Sequence, residues 1–152
     1  MIENEMNGTP VVIDIDSVHG YDRDESDRME FTTDGTYTYE NGVGRLSYWE
    51  SDVTGMDGTL TQLEISPQRV VLNREGTVTS RMEFEPGFRS RFAYETPYGT
   101  ASMGMDTRQI LSQFDEHGGH LEMDYVLDLE HMMAVRNKFC VRVRRADEIC
   151  GM

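Results

Sequence analysis

The sequence predicts an all-β protein with antiparallel strands. Residues alternate with a period of two in nearly every segment, beginning with Val-Val-Ile-Asp-Ile-Asp at residues 11–16. This period is typical of half-buried strands and not of helices. Turn residues close successive segments at intervals of about 10 residues, a spacing that is typical of antiparallel sandwiches and barrels. The two observations together favour one of these two architectures.

After the first strand, the same period continues through the first half of the chain. Asn41-Gly42 is the strongest short hairpin signal, because both residue types accept the positive φ that a two-residue turn requires. Residues 55–58 mark a loop, and Pro67 marks a break. The predicted strands are residues 29–33, which lead through Asp34-Gly35 into 36–40, and then residues 43–51, 59–65 and 69–74.

The stretch from Arg74 to Gly99 predicts further strands with a partly polar inner face. Its segments are closed by turn residues at Gly76, Pro86-Gly87 and Pro97-Tyr98-Gly99. Ser80 shares the face of Met82 and Phe84, whereas Arg81 falls on the opposite face and is expected to be exposed. A polar inner face either braces the interior or holds a ligand.

The last two strands predict a hairpin with a charged outer face. Leu121, Met123, Tyr125, Leu127 and Leu129 alternate with acidic residues, and Val135, Phe139, Val141 and Val143 alternate with basic ones. Opposite charges across two strands favour a register. The predicted pairs are Glu130 with Arg136, Asp128 with Lys138, Asp124 with Arg142, and Glu122 with Arg144, around a turn at residues 131–134.

Length and composition predict a single domain. The chain has 152 residues, of which 38% are hydrophobic and 28% charged, a balance at which one hydrophobic core forms. We expect one β-barrel domain over residues 1–152, with the barrel at about 10–145 and a short C-terminal tail. Cys140 and Cys150 show neither a CxxC spacing nor a zinc-finger pattern and are expected to be free thiols.

The negative net charge of the chain argues against two classes of binding partner. A formal net charge of −14 argues against nucleic acid and anionic membranes, which are bound by clustered Lys and Arg. The chain shows no run of about 20 apolar residues, and its first residues, Met-Ile-Glu-Asn-Glu, do not form a signal peptide. We therefore expect a cytoplasmic protein of unknown oligomeric state.

Several motifs together resemble those of the YwiB-like family of uncharacterised small bacterial proteins. They are Gly55-Met-Asp-Gly-Thr59, Arg74-Glu-Gly76, Ser80-Arg-Met-Glu-Phe-Glu-Pro-Gly87 and Tyr94-Glu-Thr-Pro-Tyr-Gly99. The resemblance covers nearly the whole chain, to Arg144. It implies a single closed antiparallel β-barrel of the calycin type, the group that includes lipocalins, and it supplies no established activity and no catalytic residues.

The predicted binding residues are those that the alternation places inside the barrel. They are Tyr48, Glu50, Arg74, Ser80, Tyr94 and Thr96. In one interpretation Arg74 anchors a ligand carboxylate or phosphate and the hydroxyl groups orient it. In the other, Glu50 and Arg74 form an internal ion pair that needs no ligand. A pocket of about 300 Å³ or more near Arg74 favours the first interpretation.

Motifs for enzymes are missing from the sequence. It contains no Gly-x-Ser-x-Gly elbow, no phosphate-binding Gly-x-x-x-x-Gly-Lys loop and no His-Glu-x-x-His, and His117 with His120 lacks a third metal ligand. We expect no catalytic residues, metal or cofactor. The expected function is non-enzymatic binding of a small anionic or amphipathic molecule. The alternatives are a protein-interaction or structural module with a self-filled barrel and, third, an unidentified hydrolase-type enzyme.

Overall fold

The protein is a ten-stranded antiparallel barrel. A computed structural model describes residues 8–20, 27–129 and 134–146. The strands are β1 Thr9–His19, β2 Asp27–Glu40, β3 Val43–Trp49, β4 Thr59–Ser66, β5 Arg69–Gly76, β6 Ser80–Phe84, β7 Arg89–Thr96, β8 Gly99–Asp115, β9 Gly118–Asp128 and β10 Ala134–Arg145. The described residues contain no helix long and apolar enough to cross a membrane. The expected all-β antiparallel barrel is confirmed.

Each strand lies beside its neighbours in the sequence, so the barrel has up-and-down topology. The first and last strands pair from Val11 with Arg145 to His19 with Asn137, which joins the two ends of the chain in one sheet of order β6 to β1 and then β10 to β7. The seam between β6 and β7 is weaker. Among the described residues it contains one bridge, between Thr79 and Glu95, whose two backbone hydrogen bonds are both 2.9 Å long. The barrel is therefore nearly closed.

Asp34 and Gly35, which have the residue types of a turn, lie inside one continuous strand. A Cβ atom on Gly35 would meet the backbone oxygen of Ser47 at 2.4 Å and Cδ1 of Ile13 at 2.6 Å. The glycine is needed for close packing of β1, β2 and β3 and not for a change of direction. Asn41 and Gly42, in contrast, both have positive φ and form the predicted turn.

The predicted register of the last hairpin is wrong. Lys138 faces Asp124, Cys140 faces Glu122, and Ala134 faces Asp128. The predicted pairs keep the correct face but are displaced along the strand, because charges that alternate along both strands match in several registers. Glu130 and residues 131–133 of the predicted turn lie outside the described residues.

The outer charges pair within this hairpin, where Arg136 lies 3.8 Å from Asp124, and also across other strands. Arg89 of β7 lies 2.7 Å from Asp106 and 2.8 Å from Asp128, and Arg144 lies 2.7 Å from Asp14. Each exposed pair contributes about 0.2–1 kcal/mol. The charged ladder thus extends over several strands of the barrel rather than over one hairpin.

The interior differs between the two ends of the barrel. At the end where β2 and β8 finish, large apolar residues fill the lumen, and the Tyr37 hydroxyl donates a 2.6 Å hydrogen bond to the Asp115 backbone oxygen. The opposite end, where the odd-numbered strands finish, carries the buried polar residues of the interior. They include Ser17, Glu50, Thr59, Thr61, Ser80 and Asn137. This second end is called the polar end below.

Replacing Gly35 by alanine is expected to destabilise the fold by about 1–3 kcal/mol, because the added methyl group overpacks the contact with Ser47 and Ile13. Glu40→Ala, at an exposed position of the same strand, is the control and should change stability by no more than about 0.5 kcal/mol. Urea unfolding with an unchanged m-value measures both. Equal midpoints for the two variants would contradict the close packing at Gly35.

Candidate functional site

A cavity of about 490 Å³ occupies the polar end of the barrel. Its deeper wall is apolar and includes Phe31, Leu72, Phe84, Phe92 and Met103, whereas polar side chains lie nearer the strand ends. The volume falls within the range of about 300–1,000 Å³ that is typical of small-molecule sites. The side chains therefore do not fill the lumen, and Arg74 lies at the cavity wall.

The structure brings four of the six predicted site residues to this cavity. Tyr48, Glu50, Arg74 and Tyr94 line it. Tyr48 lies on β3, Glu50 directly follows β3, and the other two lie on β5 and β7. Because inward side chains of separate strands enter the same lumen, these residues converge on one space.

Ser80 and Thr96 are not among the residues that line the cavity. Ser80 is buried opposite Arg74 in the sheet, and its hydroxyl has no hydrogen-bond partner among the described residues. Thr96 lies at the end of β7, where its hydroxyl donates to the Gly99 backbone oxygen at 3.0 Å and accepts from the Tyr98 N–H at 3.1 Å. Thr96 thus stabilises a turn, because alternation gives its face but not its depth in the barrel.

Glu50 is held in place by hydroxyl groups. Its side chain is 1% exposed, and its carboxylate accepts hydrogen bonds from Thr61 and, at 3.0 Å, from Thr54. The charge of this carboxylate also acts on the buried Tyr48 hydroxyl. The two threonine donors offset much of the cost of burying a charge.

Arg74 is paired with Glu50 by charge without a direct hydrogen bond. Its Nε lies 3.8 Å from Glu50 Oε2, and its side chain is 15% exposed. That buried Nε has no hydrogen-bond partner among the described residues. The internal ion pair predicted as one interpretation is therefore present, and it leaves donor capacity of the guanidinium unused beside the cavity.

Burial favours the neutral form of two cavity tyrosines, Tyr48 and Tyr125. Burial raises the pKa of Tyr48, and the neighbouring Glu50 charge raises it further. Burial also raises the pKa of Tyr125 to about 12, although the Arg74 cation acts in the opposite direction. The ring of Tyr125 packs edge-on against Phe84 with centroids 5.1 Å apart.

The sequence reasoning missed several polar residues of the site, among them Thr54, which donates to Glu50, and the residues Ser17, His19 and Asn137. Ser17 and His19 line the cavity, with Ser17 Oγ 3.3 Å from His19 Nε2. His19 Nδ1 lies 2.9 Å from Oδ1 of Asn137. Ser17 and His19 continue the inward alternation of Ile13 and Ile15, so the period-two pattern contained a signal for both.

The described part of the chain contains no cluster of three or more His, Cys, Asp or Glu residues that could hold a metal ion. Cys140 is a free, half-buried cysteine. Burial raises the pKa of its thiol, and the charge of Glu122 adds to this effect, so the nucleophilic thiolate is disfavoured. Cys150 lies outside the described residues.

Comparisons with known proteins identify relatives of the same fold. The sequence profile described as "Domain of unknown function (DUF1934)" matches residues 5–141. The Uncharacterized beta-barrel protein YwiB of Bacillus subtilis (strain 168) is 27% identical over 117 residues, which are 77% of this chain and 80% of that protein. The crystal structure of the ywiB protein from Bacillus subtilis superposes with a TM-score of 0.80 at 22% identity, over 91% of this chain and 92% of that one.

Alkaline pH is expected to destabilise the barrel through Tyr125. Because its pKa is raised from 10 to about 12 in the folded state, the unfolded chain loses this proton first. The free energy of unfolding therefore falls between pH 10 and about 12, by up to about 1.4 kcal/mol per pH unit for this group.

Tyr125→Phe should make that part of the pH dependence shallower, as measured by urea unfolding at several pH values. Tyr98→Phe is the matched control, because Tyr98 is 99% exposed. An unchanged alkaline slope in Tyr125→Phe would contradict the burial of a neutral phenol at this position.

Proposed function

The chain belongs to the DUF1934 family, and on that premise we propose that it binds a small amphipathic molecule with an anionic head group. The molecule lies in the cavity at the polar end, with its head group at Arg74 and its apolar part against the deeper wall. The observation that carries this proposal is the position of Arg74 at the wall of a 490 Å³ cavity, where its Nε lies 3.8 Å from Glu50 Oε2, too far for a direct hydrogen bond.

The shape and lining of the cavity support an amphipathic ligand. Aromatic, leucine and methionine side chains dominate the deeper wall, with Phe31, Phe92 and Leu127 also packed against the core. Burial of an apolar chain there contributes about 25 cal/mol for each Å² removed from water. The few polar groups near the strand ends supply orientation and specificity.

The Glu50 carboxylate is compatible with an anionic ligand because other residues already satisfy it. Thr61 and Thr54 donate to it, so the position of Glu50 does not depend on Arg74 alone. In the empty barrel Glu50 neutralises the buried guanidinium. A guanidinium has five N–H donors, and the donors that Glu50 leaves unused are available to a ligand carboxylate.

The proposal predicts that Arg74→Gln weakens binding of decanoate by about tenfold to a hundredfold, since a hydrogen bond to a charged group contributes about 1.5–3 kcal/mol. Arg81→Gln removes the same charge from an exposed position on the neighbouring strand and should leave the affinity unchanged. Titration calorimetry of ligand-stripped protein measures each Kd. Decan-1-ol, which has no carboxylate, should bind both variants equally.

Two outcomes would overturn the proposal. The first is that ligand-stripped protein binds neither decanoate nor decan-1-ol, which would favour a barrel with a structural role. The second is that Arg74→Gln lowers the free energy of unfolding but leaves the ratio of decanoate to decan-1-ol affinity unchanged. In that case the pairing of Arg74 with Glu50 is internal bracing.

A further inference from the structure

Ser17, His19 and Asn137 form a chain of hydrogen bonds at the cavity wall. Ser17 Oγ lies 3.3 Å from His19 Nε2, and His19 Nδ1 lies 2.9 Å from Asn137 Oδ1. None of these residues is needed to hold Arg74 or Glu50. The chain is therefore a second polar feature of the same cavity.

The neighbours of Asn137 fix which histidine nitrogen carries the proton. Nδ2 of Asn137 donates to the backbone oxygen of Val135 at 3.2 Å, so the amide oxygen faces His19. An amide oxygen only accepts hydrogen bonds, and Nδ1 of His19 must therefore be the donor. In neutral histidine the other nitrogen, Nε2, then has a free lone pair, which is directed at the Ser17 hydroxyl.

Strand pairing places this chain at the end of β1, where His19 is exposed and its two partners are buried. Asn137 is 1% exposed and lies directly opposite His19 in the pairing of β1 with β10. Ser17 lies two residues before His19 on the inner face of β1 and is also buried. A serine hydroxyl, an imidazole base and a group that orients the base are the parts that an activated serine nucleophile requires.

We propose that Ser17 is a nucleophile for acyl transfer from esters with apolar acyl groups, that His19 is its general base, and that Asn137 is a positioning residue. Both Ser17 and His19 line the cavity, whose apolar wall fits the acyl chain. Arg74 lines the same cavity and is a cation available to the negative charge that develops on the ester carbonyl oxygen.

The reaction proceeds in two balanced steps. Ser17 Oγ attacks the carbonyl carbon while its proton passes to His19 Nε2; the bond to the alcohol oxygen then breaks, and the alcohol leaves with that proton. Water next attacks the serine ester and gives a proton to Nε2. The ester bond to Ser17 breaks, Oγ recovers the proton, and a carboxylic acid is released.

Two probes test the nucleophile in the full chain. A fluorophosphonate should add one phosphonyl group at Ser17, located by peptide mass spectrometry, and p-nitrophenyl octanoate should be hydrolysed faster than in buffer. Ser17→Ala should abolish both reactions. Ser47→Ala is the matched control, because Ser47 is a half-buried serine of β3 whose hydroxyl accepts from Gln62 and is not paired with a histidine; it should react like the unchanged protein.

Further variants test the base and its orientation. His19→Gln should slow phosphonylation of Ser17 by at least about a hundredfold, since general-base catalysis contributes about 10²–10⁴-fold. Asn137→Leu removes the acceptor for Nδ1–H and should slow it by about tenfold or more. Asn137→Asp retains an acceptor at that place and should restore most of the rate, which a purely structural role would not produce. Circular dichroism confirms that each variant is folded.

The proposal is overturned if the unchanged protein neither takes up the phosphonyl group nor hydrolyses the ester, or if the adduct maps to another residue. Equal rates for His19→Gln and the unchanged protein would also overturn it. If Asn137→Asp is as slow as Asn137→Leu in folded protein, the positioning role of Asn137 is refuted. These outcomes are independent of decanoate binding at Arg74.

Discussion

The closure of the sheet is the constraint on which the rest of the structure depends. Pairing of β1 with β10 joins the two ends of the chain, and the bridge between Thr79 and Glu95 brings the two edges of the sheet together. The inward side chains therefore share one lumen of limited width. At one end, apolar side chains and the Tyr37 hydrogen bond to Asp115 fill that lumen. At the polar end the inward side chains leave a cavity of about 490 Å³.

Burial of polar groups at the polar end determines how they are arranged. Glu50 is satisfied by hydroxyl donors, and Asn137 uses its oxygen for His19 and its nitrogen for a backbone oxygen. A buried polar group without a partner costs about 1–3 kcal/mol. Nε of Arg74 and the Ser80 hydroxyl both lack a hydrogen-bond partner among the described residues. Of these two residues Arg74 lines the cavity, and this position is the basis for assigning Arg74 to a ligand.

The sequence predicts the faces of the strands well and their depth and register poorly. Period two correctly places Tyr48, Arg74 and Tyr94 inside the barrel, and the residue types of Asn41-Gly42 correctly predict a turn. Alternation cannot say how far along the axis a residue lies, which is why Thr96 was predicted in the pocket but lies at a turn. The contact of His19 with Asn137 joins residues 118 positions apart and depends on the pairing of the first and last strands.

The two proposed roles of the cavity are chemically consistent with each other. Hydrolysis of an ester with an apolar acyl group releases a carboxylic acid, which is ionised at neutral pH. That product is itself an amphipathic anion, the class of molecule proposed to bind at Arg74. Ser17 and Arg74 come from β1 and β5 and line one space. If both proposals hold, one cavity would generate such an anion at the wall that carries Ser17 and retain it at the wall that carries Arg74.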